Sequence, residues 1–302
     1  MDGVRIRVPA TSANLGPAFD AAGLALTCWD ELEVEVTDGG LAVTVAGEGE
    51  GDLPTDESHL VVQAFRAACA ELGWSPAGLR LAATNGIPQG RGMGSSAAAV
   101  TAGVLAAWSL CPDVTDVDEA AVLRLCSALE GHPDNVAPCL LGGATLSWTT
   151  PAGARAVRLA VRPEVTPVLF VPGATLSTHV ARGLLPAAVP HADAAANAGR
   201  AALLVHALTT APELLLEATE DRLHQAQRAP AMPDSAALLA RLRADGHAAV
   251  VSGAGPCVLV LAPDAGAADE LAAHAPNGWR CMPLSVDDDG AVVHEMGRAV
   301  RL

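Results

Sequence analysis

The chain contains no lysine; all 18 of its basic residues are arginine. That absence excludes a Walker-A phosphate loop, whose lysine reaches the β- and γ-phosphates. It excludes the protein-kinase fold with its strand lysine, and any Schiff-base chemistry on a lysine amine. Positive charge is scarce altogether: 34 acidic residues leave a formal net charge of −16, and there is no basic run or tail. Nucleic acid and anionic membrane surfaces are therefore excluded as partners. A long apolar run is missing too. The longest uncharged stretch, 92–112, is interrupted by Gly94, Ser95, Ser96, Thr101, Gly103 and Ser109, which makes a poor membrane span. The opening MDGVRIRVPA has no apolar segment of the kind a secretory signal needs. The seven cysteines are odd in number and show no C-x-x-C spacing, and the nine histidines show no H-E-x-x-H. The cysteines are read as small core residues of a cytoplasmic protein without a structural metal.

With 302 residues and 51% apolar side chains, the chain can build two domains around a sizeable core. Alternation predicts strands over 3–8, 31–36 and 41–46, the last two joined as a hairpin by Asp38-Gly39-Gly40. Helical spacing predicts a helix over 58–72, and LRLAAT (79–84) reads as a strand. Helices follow over 95–110 and 117–130, the second capped by Asp116. Strands over 144–149 and 156–161 flank Pro151 and Gly153, where a domain boundary is placed: 1–155 and 156–302. The second half shows strands near 167–171, 248–252 and 257–262 among helices near 177–184, 193–210, 213–222, 235–245 and 266–274, with strands again toward the end. Trp108, Trp148 and Met232 are assigned to the core. This is α plus β in both halves.

One stretch breaks the pattern. GIPQGRGMGSSAAAV (86–100) places four glycines in nine residues directly before a helix start. Glycine is costly to order, but a helix N-terminus offers free N–H groups and a partial positive charge, and glycines let the backbone approach a ligand. Phosphate is the usual guest of such a site; a plain strand-to-helix loop is the alternative. Three more stretches fit neither core nor ordinary surface: PATSANLGPAFD (9–20), EGHPDN (130–135) and SGAGPC (252–257).

Together these stretches resemble the motifs of the GHMP small-molecule kinases. GRGMGSSAAA is similar to their phosphate loop, with Met93 where leucine is common, and VSGAGPC to their third motif. PATSANLGPAFD, EGHPDNVAP, STHVARGLLP (177–186), NAGRAALL (197–204) and DRLHQAQRAP (221–230) resemble segments of the homoserine kinases within that group. The resemblance runs in order from residue 4 to about 262. It implies an α+β two-domain GHMP kinase fold, with an N-terminal ribosomal-S5-like domain, a C-terminal ferredoxin-like domain and the site in the cleft between them. It also implies transfer of the γ-phosphoryl of ATP to the hydroxyl of L-homoserine with Mg²⁺, toward threonine, in a homodimer. Rival readings are a sister kinase acting on threonine, mevalonate or shikimate, and a non-catalytic ligand sensor on the same fold.

Site residues follow from the same resemblance. Pro88, Gly90, Arg91, Gly92, Met93, Gly94, Ser95 and Ser96 would hold the phosphates, and Ser96 with Glu130 would hold Mg²⁺. Asp134 faces the reacting hydroxyl with Asn135 beside it; whether it removes a proton or orients the hydroxyl stays open. Asn14, Asp20, His132, Thr178, Arg182 and Arg228 line the substrate, Asp20 taking the ammonium and the two arginines the carboxylate. A substrate without an ammonium is then expected to leave Asp20 as an unpaired buried charge. Ala18 stands where the first motif usually has glycine, and is expected to narrow the pocket or shift its loop.

Overall fold

A computed structural model describes residues 3–296. The elements of the first part are β1 (Gly3–Ala13), β2 (Ala22–Thr37), β3 (Gly40–Gly47), α1 (Leu60–Glu71), β4 (Gly78–Asn85), α2 (Ser95–Leu110), α3 (Glu119–Glu130), α4 (Val136–Leu141), β5 (Ala144–Thr150) and β6 (Gly153–Leu159). There follow β7 (Thr166–Val171), α5 (Thr178–Gly183), α6 (His191–Thr209), α7 (Leu215–Ala218), α8 (Gln225–Arg228), α9 (Pro233–Ala244), β8 (Ala249–Val251), β9 (Val258–Ala262), α10 (Ala265–Glu270), β10 (Arg280–Pro283) and β11 (Val292–Glu295). Among the described residues, no helix is long and apolar enough to cross a membrane.

The first sheet has seven strands, in the order β11-β1-β2-β4-β3, with β5 pairing β2 and β6 pairing β5. Val4, Ile6 and Val8 of β1 and Leu32 and Val34 of β2 point to one face and are buried. Asp38-Gly39-Gly40 does reverse the chain, but β3 does not pair with β2. It pairs in parallel with β4, which lies between them. A local turn signal fixes the bend and leaves the partner open, and here the strand that follows α1 takes the place beside β2. Pro9 lacks a donor for the ladder. There the β1–β2 register shifts, from Pro9↔Trp29 to Ala10↔Leu26. The polar end of β1, Ala10–Ala13, continues as strand beyond this bulge, so the first half of PATSANLGPAFD is sheet rather than turn.

The helix α2 is buried almost all round, because α1, α3, α4 and the sheet surround it. Gly103 allows the close crossing with α1: a Cβ there would lie 2.4 Å from the Val61 carbonyl oxygen. The cap of α3 is Asp118, whose Oδ1 accepts from the Ala120 and Ala121 amides at 3.0 Å each, so the cap lies two residues after the expected Asp116. Trp108 and Met232 are core, whereas Trp148 is 43% exposed on the β5–β6 hairpin. Pro151 and Gly153 form the tip of that hairpin within one sheet, and residue 155 lies inside β6. The chain passes to the second sheet after Leu159.

That second sheet is antiparallel, in the order β10-β7-β9-β8. Strands β7, β8 and β9 are buried on both faces, and period-two alternation divides them. Val168, Phe170, Val258 and Val260 pack with α9 through Leu238 and Leu242, with α10 through Ala268, and with Leu271 just after it. Leu169, Val171, Leu259 and Leu261 join the core of the first sheet. The two halves therefore share one apolar interior, and β11 returns to pair with β1. Six of the seven cysteines are buried, and all seven are free thiols.

Candidate active site

The phosphate-loop glycines are held by other parts of the chain. Gly90, Gly92 and Gly94 all have positive φ, at 64°, 79° and 70°. A Cβ on Gly92 would lie 2.2 Å from the Ser252 carbonyl oxygen, and one on Gly94 would lie 1.9 Å from Thr11 Oγ1. These two glycines serve close packing against SGAGPC and β1; only Gly90 faces looser surroundings, with Thr175 at 3.5 Å. Hydrogen bonds complete the seam: Ser252 Oγ donates to the Gly92 carbonyl at 2.6 Å, and the Thr11 amide to that of Met93 at 3.0 Å. The two glycine loops and the polar end of β1 are therefore one unit before any ligand arrives.

The Arg91 guanidinium belongs to the same scaffold. It donates to the carbonyls of Pro172 (2.9 Å), Gln89 (3.1 Å) and Gly173 (3.0 Å). Met93 is fully buried in the core and Pro88 is buried as well; neither lines the cavity. Their places in the phosphate loop are structural.

A cavity of about 370 Å³ opens beside the N-terminus of α2. Gly90, Arg91, Gly92, Gly94, Ser95 and Ser96 form one wall, and Asn14, Glu130, His132, Asp134 and Asn135 another. Thr178, Arg182 and Arg228 arrive from the second half of the chain. Residues from four separated motifs and α5 thus meet in one space. Ser96 Oγ donates to Glu130 Oε2 at 2.8 Å. Burial pushes the Glu130 carboxyl above its ordinary value, partly offset by that hydrogen bond. Two oxygen donors, one of them a partly desolvated carboxylate, form a set that suits a hard cation such as Mg²⁺.

Asp134 is 1% exposed, and its Oδ1 meets His132 Nδ1 at 2.6 Å. The hydrogen bond to Asp134 outweighs burial and holds the His132 pKa above its ordinary value. Thr11 Oγ1 donates to Asn135 Oδ1 at 2.9 Å, which ties this segment to β1. Gly23 contributes silently: a Cβ there would lie 2.1 Å from the Asp134 carbonyl oxygen, so β2 passes against Asp134 only because residue 23 has no side chain.

The first-motif loop is strained. Asn14, Leu15 and Asp20 have φ of 74°, 44° and 58°, in the left-handed region that costs a non-glycine residue about 1 kcal/mol or more. Asn14 offsets this through both ends of its amide, donating to the Gly253 carbonyl and accepting from the Asp20 amide at 2.9 Å each. Strain held this way is common at binding sites. Asp20 is not an unpaired buried charge. It forms a two-pronged ion pair with Arg182, at 3.0 and 2.5 Å, and both side chains are partly exposed. Ala18 has no positive φ and lines a small interior void with Leu15, Leu204 and Leu208 rather than the cavity. It therefore does not narrow the cavity.

Arg228 differs from Arg182. It is 2% exposed, donates from Nη1 to the Gly253 carbonyl at 2.8 Å, and keeps Nη2 buried with no partner among the described residues. Burial lowers its pKa. A buried cationic donor left over in a cavity wall calls for an anion.

Several cavity residues carry no motif signal. At the apolar end, lined by Leu53, Pro54, Leu60 and Val61, His59 caps α1 by accepting the Val61 amide on Nδ1 at 3.3 Å. That places the ring proton on Nε2, which is buried without a partner among the described residues; burial also lowers the pKa, favouring the neutral ring. Asp30 accepts the Gly86 and Ile87 amides at 2.9 Å each and fixes the root of the phosphate loop. Phe19 was visible in the sequence as an aromatic ring inside a polar stretch, a signal left unused.

Comparison with known proteins shows the family. Residues 59–143 match the model of the GHMP kinase N-terminal domain and 200–281 that of the C-terminal domain. The chain is 56% identical to a homoserine kinase of Streptomyces coelicolor, over 98% of this chain and 96% of that one. It is 57% identical to a homoserine kinase of Streptomyces avermitilis, over 96% and 95%. The crystal structure of a homoserine kinase from Cytophaga hutchinsonii superposes with a TM-score of 0.86 at 26% identity, covering 97% of this chain and 98% of the other.

Proposed function

The chain belongs to the GHMP kinase family, and we propose that it transfers the γ-phosphoryl of ATP to the hydroxyl of L-homoserine, giving O-phospho-L-homoserine on the way to threonine. ATP use follows from the family. The observation that carries the choice of acceptor is the charge pattern at one end of the cavity: a buried Arg228 with an unused donor, beside an Asp20–Arg182 pair. An amino acid carrying a hydroxyl supplies a carboxylate for Arg228 and Arg182 and an ammonium for Asp20. Binding then exchanges one ion pair for two, and Arg228, which has no anion in the free protein, gains one.

The remaining residues take roles that suit this chemistry. Phosphoryl transfer needs positioning and charge neutralisation more than covalent help. The amides that open α2, with Gly90, Gly92, Ser95 and Ser96, face the phosphates. The apolar end suits the adenine ring, with the His59 Nε2–H as its donor. Ser96 and Glu130 would hold Mg²⁺, which when bound neutralises charge on the transferred group. Among the described residues there is no cluster of three or more His, Cys, Asp or Glu able to hold a metal, so the phosphate oxygens and water would complete its coordination. Asp134, steadied by His132 and Asn135, faces the acceptor hydroxyl and can orient it or take its proton. Cytoplasmic work is part of the same reading, supported by the free thiols.

The test is a panel of acceptors with purified protein and Mg-ATP, read by ADP release: L-homoserine, L-threonine, L-serine, mevalonate, shikimate and galactose. L-homoserine is expected to give the highest kcat/KM. Threonine carries the same charges with its hydroxyl one carbon nearer, and is expected to react poorly. A higher kcat/KM for an acceptor without an ammonium refutes the assignment and leaves only the kinase class.

A further inference from the structure

Phe19 lies where the two substrate-side arginines meet. The Arg182 guanidinium carbon is 5.4 Å from its ring centroid and that of Arg228 is 5.3 Å away. The ring is also stacked on the His224 imidazole, with centroids 4.1 Å apart and planes within 6°. His224 is itself fixed. Its Nδ1 meets Asp221 Oδ1 at 3.0 Å, and its amide donates to Asp221 Oδ2 at the same distance. The Asp221 side chain is fully buried and also accepts the Leu223 and Gln225 amides. A rigid path therefore runs from a buried carboxylate through an imidazole to a phenyl ring that carries two guanidinium groups.

Bringing two like charges to one small region is unfavourable, and the Arg182 charge adds to the burial that lowers the Arg228 pKa. The negative face of an aromatic ring offsets that repulsion and holds a planar guanidinium in a set place. We infer that Phe19 is a positioning residue that sets the placement of Arg182 and Arg228 for the acceptor's carboxylate, with His224 and Asp221 fixing the ring. The inference rests on the phosphoryl transfer proposed above and goes beyond it, since neither Phe19 nor His224 reacts or is among the groups that bear substrate charge.

The experiment compares wild type with Phe19→Leu, Phe19→Trp and His224→Leu, using three acceptors. L-Homoserine has both charges, 4-hydroxybutyrate keeps only the carboxylate, and 3-aminopropan-1-ol keeps only the ammonium. Wild-type turnover of L-homoserine is measured first, and its absence counts against the function proposed above rather than against Phe19. Given that turnover, Phe19→Leu is expected to raise KM for L-homoserine about tenfold or more, the size of one partly exposed and one buried cation–π contact. The kcat and the KM for ATP are expected to stay within about twofold. The same rise is expected for 4-hydroxybutyrate and none for 3-aminopropan-1-ol, which has no carboxylate to misplace. Phe19→Trp, which keeps the aromatic face, is expected to recover most of the loss, and His224→Leu to show about a threefold rise with the same split. A rise of equal size for 3-aminopropan-1-ol, a fall in kcat without a change in KM, or no change at all overturns the inference. If Phe19→Leu does not fold, His224→Leu decides by the same criteria.

Discussion

Replacing Arg228 with methionine separates binding from folding. In the free protein this arginine is 2% exposed and has one buried donor with no partner among the described residues. A buried, unsatisfied polar group costs about 1–3 kcal/mol, more when charged. The bonds it does make are replaceable. The Gly253 carbonyl also accepts from Asn14 Nδ2 at 2.9 Å, and the His224 carbonyl from the Arg228 amide at 3.3 Å. Methionine keeps the apolar stem and removes the charge, so Arg228→Met is expected to match wild type in stability or exceed it by about 1 kcal/mol, a rise of about 2 °C.

Acceptor binding moves the other way. Losing one partner of a buried, hydrogen-bonded charge pair costs about 2–4 kcal/mol, so KM for L-homoserine is expected to rise by about 30- to 1000-fold while KM for ATP holds. The assays are steady-state kinetics and thermal unfolding with and without the amino acid. At a concentration of 100 Kd, L-homoserine stabilises wild type by about 2.7 kcal/mol, and the variant at that concentration should gain less than about 1 kcal/mol. A variant that melts more than about 5 °C lower with an unchanged KM makes Arg228 a structural anchor and refutes the reasoning.

Glu130→Gln is expected to lower kcat by about 10²-fold or more, because it removes a charge placed at the phosphates. Burial already disfavours charge on Glu130, so its unfolding temperature should not fall; full activity of the variant refutes the metal assignment. Asp30→Asn is a test by pH. Burial pushes the Asp30 carboxyl up to about 6 from an ordinary value of 3.8, so its protonated form is favoured in the folded chain. That contribution is complete below pH 3.8 and is lost as pH rises through 6, leaving an ionised buried carboxylate that costs on the order of 3 kcal/mol. Asparagine keeps an acceptor for the Gly86 and Ile87 amides, so denaturant unfolding should show the variant more stable than wild type at pH 8 and equal to it near pH 4. Equal stability at both values refutes the assignment of a buried charge.

The parts of this protein that can be read locally were legible. The glycine-rich run before α2, the apolar helices and the β7–β9 strands all follow from composition and spacing. What stayed hidden depends on residues far apart in the chain. Thr11 and Ser12 look like turn residues, but their hydroxyls meet Asn135 and Ser252, at 2.9 and 2.8 Å, so a polar segment can stay in a strand. Gly94 reads as a residue that lets a ligand approach, yet Thr11 occupies the space its Cβ would take. Histidine is not among the usual helix caps, so nothing in the local sequence marks His59. Asp20 and Arg182 carry opposite charge 162 positions apart, and only the fold shows that each is the other's partner.

The missing lysine now has a structural counterpart. In a Walker-A loop the lysine is a mobile cation that meets the phosphates. Here the cation inside the phosphate loop is Arg91, and three of its donors are taken by backbone carbonyls. The loop is thereby fixed to the segment that leads into α5, and the Gly90 carbonyl accepts the Leu176 amide at 3.0 Å on the same side. In the proposed reaction the positive field for the phosphates would come from the N-terminus of α2 and from a metal held by Ser96 and Glu130, neither of which can swing away as a side chain does. In exchange, hydrogen bonds tie the loop both to the third motif and to the segment that leads into α5. The two remaining cations of the cavity, Arg182 and Arg228, are left free of the phosphate task and can serve the acceptor's carboxylate. On this division of labour, a lysine introduced near the phosphates would add charge where the backbone already provides it, whereas loss of the Arg91 anchors would loosen both substrate sites together.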